Sequence, residues 1–107
     1  MNPIIEANKP AIIALCQQYG VIKLDLFGSA TGPNWDPETS DFDFVIAFES
    51  YGPGIATRLV QFCDSLEGLL DRRVDLVFER GMKPRVSAFI APQREGIYER
   101  NNGIAAA

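Results

Sequence analysis

The chain has 107 residues, 47% of them hydrophobic, and a formal charge of −4 from 10 Lys plus Arg against 14 Asp plus Glu. That is one small domain with enough apolar material for a core, which excludes a disordered chain, a collagen-like repeat and a disulfide scaffold. The acidic balance argues against non-specific binding to nucleic acid. The absence of histidine means that this chain alone builds no Ser-His-Asp triad, Cys-His pair or His-ligated metal site.

No apolar run is long enough to span a bilayer, and Met1-Asn2-Pro3 lacks the basic-then-apolar build of a secretory leader. The expectation is a cytoplasmic protein with no membrane partner. Cys16 and Cys63 form no CxxC motif, and both fall on apolar stripes of predicted helices, so they read as reduced core thiols.

The periodicity predicts a first helix over 9–19: Asn8 as N-cap, Pro10 in the first turn, and Ile12, Leu15, Cys16 and Tyr19 at i, i+3, i+4 and i+7. Gly20 supplies the stop. Residues 21–27 alternate as a strand, with Ile22, Leu24 and Leu26 on one face and Lys23, Asp25 and Phe27 on the other. Residues 28–40 form a loop with one helical turn near its start, and a second strand runs over 42–48. After the turn at 50–54, Ile55, Leu59, Phe62, Cys63, Leu66, Leu69 and Leu70 share one face of a helix over 55–70. A third strand spans 73–79, with Val74, Leu76 and Phe78 opposite Asp75, Val77 and Glu79. Pro84 opens a short helix ending before Pro92, and Gly96-Ile97-Tyr98 adds a last short strand. One domain over 1–100 is expected, with 101–107 a frayed tail. The order α-β-β-α-β-α gives an α/β (α+β) fold, one mixed sheet with helices packed on it.

Three aspartates stand out. Asp41 and Asp43 are two apart at the start of the second strand, so their carboxylates project together. Asp75 lies between Val74 and Leu76 in the third strand and joins the pair if those strands are neighbours. Two unit charges about 4 Å apart repel by on the order of 4 kcal/mol at an effective dielectric of 20. A divalent cation is the usual reason to keep such a cluster, and oxygen ligands alone suit Mg²⁺. On spacing alone a second reading stands beside this one: Asp41 caps a turn, Asp43 faces solvent, and Asp75 pairs with Arg72 or Arg73. Just upstream, Gly28 ends the first strand where a phosphate can approach backbone N–H groups, and the Ser29 hydroxyl can add a hydrogen bond.

Leu26-Phe27-Gly28-Ser29, eleven residues, then Asp41-Phe42-Asp43 resembles the signature of the DNA polymerase β-like nucleotidyltransferases. With Asp75 in a Val-Asp-Leu-Val context, the chain most resembles the minimal nucleotidyltransferases, single domains often paired with a HEPN-domain partner. The resemblance covers residues 10–98. It implies the polymerase β-like fold, with Gly28 and Ser29 binding the β,γ-phosphates of ATP. It also implies that Asp41, Asp43 and Asp75 hold two Mg²⁺ ions, and that Asp75 helps deprotonate an acceptor hydroxyl. The implied reaction is in-line attack on the α-phosphate with loss of pyrophosphate, chemistry that needs no histidine. Where many relatives carry an arginine after the Gly-Ser pair, this chain has Ala30-Thr31-Gly32-Pro33, so Lys23 or an arginine elsewhere must steady the triphosphate.

The resemblance further implies an antitoxin that modifies a tyrosine of a HEPN ribonuclease toxin with AMP. Two other readings compete: a non-catalytic module that scaffolds or blocks its partner, and nucleotidyl transfer to a small hydroxylated molecule such as an aminoglycoside. No Lys-Ser/Thr follows Gly28 to Gly32, so there is no P-loop, and Asp36-x-Glu38-x-Ser40 lacks the Gly and terminal Glu of an EF-hand. Trp35 reads as loop packing rather than a platform for a base. Arg72, Arg73, Arg80, Lys83 and Arg85 read as a solvated rim.

Overall fold

The computed structural model describes residues 1–100. Its elements are α1 (Pro3–Tyr19), β1 (Val21–Phe27), the 3₁₀ turn η1 (Gly28–Thr31), β2 (Phe42–Phe48), α2 (Ile55–Leu70), β3 (Val74–Phe78), α3 (Pro84–Ile90), a second 3₁₀ turn η2 (Ala91–Gln93) and β4 (Glu95–Glu99). The sheet order is β3-β2-β1-β4. β1 runs antiparallel to both β2 and β4, whereas β2 and β3 are parallel, joined by the crossover through α2. The sheet is therefore mixed. The expected tail over 101–107 lies outside the described residues.

Strand alternation divides the sheet into two faces. Leu24 and Leu26, Phe42, Phe44, Ile46 and Phe48, and Val74 are buried on the inner face. Ile5, Ile12 and Cys16 of α1 and Phe62, Leu66 and Leu70 of α2 complete that core. Burial, only partly offset by a backbone hydrogen bond, pushes the Cys16 thiol up to about 12, in keeping with an inert core residue. The opposite face carries Phe27, Asp43 and Asp75 in one row, Asp25, Val45 and Val77 in the next, and Lys23 and Ala47 beyond. This open face, with no core helix packed on it among the described residues, mixes those four apolar side chains with Lys23, Asp25, Asp43 and Asp75.

Two details of the sequence reading are corrected. α1 begins at Pro3, with Asn2 Oδ1 accepting the Ile4 N–H at 3.0 Å, and Pro10 lies inside the helix. Asn8 is helical, and its side chain donates to the Ile4 carbonyl at 2.8 Å. A register shift between Val21 and Lys23 also puts Val21, not Ile22, into the core at 1% exposure. Gly20, in the left-handed region at φ 72°, ends α1 as expected.

Candidate active site

The parallel pairing of β2 with β3 sets Asp43 opposite Asp75, and the antiparallel pairing of β1 with β2 sets Phe27 opposite Asp43. Backbone register alone therefore gathers two carboxylates and the Gly28-Ser29 turn at one end of the open face. Burial, then the charges of Asp75 and Asp41, then a hydrogen bond with Asp75, push the Asp43 carboxyl above the usual carboxylate range. No ion pair engages Asp43 or Asp75 among the described residues.

Asp41 is placed differently. It precedes β2, and its Oδ2 lies 4.0 Å from Arg73 Nε, a distant and solvent-exposed pair. Asp75 has neither Arg72 nor Arg73 as a partner: Arg72 donates to the Asp71 carbonyl at 2.7 Å. Trp35 stacks on Phe42 with ring centroids 5.0 Å apart, and its Nε1 donates to the Asp41 carbonyl at 3.4 Å. It packs the loop, as the sequence suggests.

Gly28 is pressed against this cluster. Its φ is +78°, and a Cβ there would come within 2.6 Å of Asp43 Oδ2. Gly28→Ala is accordingly expected to destabilise the protein by about 1–2 kcal/mol through the left-handed backbone. It also turns the Asp43 carboxylate away, and thermal unfolding with and without Mg²⁺-ATP reads both effects. Ser29 follows in the first turn of η1, where backbone N–H groups lack intrahelical acceptors.

Two residues, Gln93 and Arg94, went unnoticed in the sequence. The Gly28 N–H donates to Gln93 Oε1 at 3.1 Å, so this donor of the expected phosphate cradle is already engaged. Arg94 reaches over the open face, its Nη2 lying 2.8 Å from Asp25 Oδ2 and 2.7 Å from Glu79 Oε1. Lys23 Nζ stands 3.3 Å from the same Glu79 oxygen. Burial raises the Glu79 carboxyl, but Arg94 and Lys23 outweigh it and hold the group below its ordinary range. Both cations of the open face are thus paired with carboxylates, and neither is free to replace the arginine missing after Ser29. The alternation along β1 shows Asp25 facing away from the core, but its partner lies 69 residues away and carries no local signal.

Hard oxygen donors, an uncompensated pair of carboxylates and the room left by a missing Cβ all suit a small divalent cation. As the side chains stand, no group of three or more His, Cys, Asp or Glu among the described residues encloses a metal position. Asp43 and Asp75 adjoin, whereas Asp41 would have to leave Arg73 to join them.

Comparison with known proteins identifies the family and the fold. The family model described as a nucleotidyltransferase domain matches residues 11–95. A solved structure described as a minimal nucleotidyltransferase is 32% identical, covers 85% of this chain and 90% of its own, and superposes with a TM-score of 0.71. The fold also matches that of an MNT antitoxin in complex with a tri-AMPylated HEPN toxin from Shewanella oneidensis, at 21% identity and a TM-score of 0.63. That match covers 88% of this chain and 71% of the other. A toxin–antitoxin structure with AMP-PNP matches at 24% identity and a TM-score of 0.67, over 88% of this chain and 75% of the other. No curated protein matches the chain. With carboxylates and a Gly-Ser turn at one end of a mixed sheet, and a family model spanning most of its length, this chain belongs to the nucleotidyltransferase domain family and resembles its minimal, single-domain members.

Proposed function

We propose that the chain transfers AMP from ATP to a tyrosine hydroxyl of a HEPN-domain protein, acting in the cytoplasm as the antitoxin of that ribonuclease. The observation that carries this reading is the pairing of Asp43 with Asp75 beside Gly28. Asp41, Asp43 and Asp75 would hold two Mg²⁺ ions, which supply charge neutralisation at the phosphates when bound. The Ser29 hydroxyl and N–H donate to the β,γ-phosphates. Asp75 accepts the proton of the attacking hydroxyl. The new bond joins that oxygen to the α-phosphorus, the bond from the α-phosphorus to the bridging oxygen breaks, and pyrophosphate leaves. The structures of antitoxins with HEPN toxins support the choice of partner through shared fold.

The test is label transfer from α-labelled ATP to purified HEPN-domain protein or to host lysate. A labelled band with wild type that vanishes with Asp41→Asn, Asp43→Asn is expected, and unchanged label in that double variant would refute the mechanism. A non-catalytic reading is favoured by two observations, the Gly28 N–H already held by Gln93 and Asp41 turned to Arg73. It predicts a tight complex without ATP, and a double variant that neutralises its partner as well as wild type. Labelling of an aminoglycoside instead of a protein would move the assignment to small-molecule transfer.

A further inference from the structure

Helix α3 is covered by few of the described residues. Of its seven residues only Ile90 is buried, while Val86 and Phe89, three apart and so on one face, are 46% and 74% exposed. A phenylalanine exposed to that degree contributes little to the core and is the kind of aromatic anchor that dominates protein interfaces. The surrounding charge departs from the rest of the chain. Residues 80–90 contain Arg80, Lys83 and Arg85 and no acid, within a chain of net charge −4. Arg80 lies over the Tyr51 ring at 4.6 Å, and no ion pair among the described residues engages Lys83 or Arg85.

The path of the chain links this patch to the carboxylates. Glu79, just before it, donates its N–H to the Ile46 carbonyl at the far end of the β2–β3 pair. Gln93, three residues after Ile90, accepts the Gly28 N–H at the end where Asp43 and Asp75 lie. α3 therefore runs back from the far end of the strands toward the candidate site, and Phe89 sits at the end nearer to it. We propose that the Val86–Phe89 face of α3, rimmed by Lys83 and Arg85, docks the acceptor protein through an acidic surface with an apolar recess. Docking there brings an acceptor hydroxyl to the adjoining carboxylates. The inference rests on the protein-directed reading above. Two copies of this face carry like charge and repel, which disfavours self-association through it.

The test uses the full chain and purified HEPN-domain protein, with affinity measured at two salt concentrations and ATP binding measured beside it. Phe89→Asp is expected to weaken the complex about tenfold or more while leaving ATP binding unchanged. Lys83→Glu with Arg85→Glu should slow association and flatten its salt dependence. Val60→Asp, at an exposed position on α2, is the control and should bind as wild type does. Wild-type affinity in Phe89→Asp overturns the docking face while leaving the transfer reaction standing. A wild-type homodimer that Phe89→Asp dissociates overturns it in favour of a second copy. If wild type neither binds nor labels the HEPN-domain protein, the protein-directed reading falls and the docking face falls with it.

Discussion

Asp43→Asn should abolish nucleotidyl transfer while making the metal-free protein more stable, by about 1 kcal/mol after allowing for solvent screening. For a domain of this size that corresponds to a rise in Tm of roughly 4–8 °C. The sign follows from the raised carboxyl of Asp43, lifted by burial and by the charges of Asp75 and Asp41. A carboxyl whose value is raised on folding costs stability once pH passes the unfolded value, because the unfolded state then ionises and the native state resists doing so. The advantage of the variant is therefore absent at low pH, where the group is protonated in both states, and it develops as pH rises from the unfolded carboxyl value through the raised native one. Mg²⁺-ATP reverses the order. A ligand at a hundred times its Kd stabilises wild type by about 2.7 kcal/mol, and the Asp43→Asn variant would forfeit most of that. Thermal scans from acid to neutral pH, with and without Mg²⁺-ATP, read both halves of the prediction. A variant less stable than wild type without metal would mean that Asp43 has a structural partner, and the cluster would lose its meaning.

What the sequence discloses about this protein is what local periodicity can carry. The alternation in 42–48 and 73–79 sets Asp43 and Asp75 on faces opposite the core, and pairing the two strands brings them together. The helical turn after β1 and the glycine ending α1 were legible for the same reason. The start of α1 was not, because Pro10 mimics a first-turn proline, whereas Asn2 caps the helix and Pro3 opens it. The bulge that exchanges Val21 for Ile22 follows from pairing with β2, which 21–27 cannot reveal by itself. Gln93 and Arg94 are the larger omission. Each acts on β1 or the turn that follows it, 65 to 69 residues earlier in the chain, through a side chain that reads locally as an ordinary surface residue. The site is thus legible where strands place it, and hidden where long side chains complete it.

Arg94→Met should have the second large effect, this time on stability. Arg94 is the main partner of Asp25, which is 8% exposed in the middle of the open face, and it also binds Glu79. Methionine keeps much of the stem's packing but leaves the Asp25 carboxylate buried without a cation, a loss on the order of 3 kcal/mol. Adding Asp25→Asn removes the stranded charge and should recover much of that loss, a coupling that a double-mutant cycle in urea measures directly. The pH dependence has the opposite sense to that at Asp43. Glu79 is held below its ordinary range, so its contribution is present above the unfolded carboxyl value and is lost as pH falls through the depressed one. The gap between wild type and Arg94→Met should therefore narrow on acidification. Lys23 still faces Glu79 in the variant, so part of that acid dependence survives. A gap of undiminished size at low pH would assign Arg94 a packing role instead, because only the part of its contribution that runs through Glu79 titrates away.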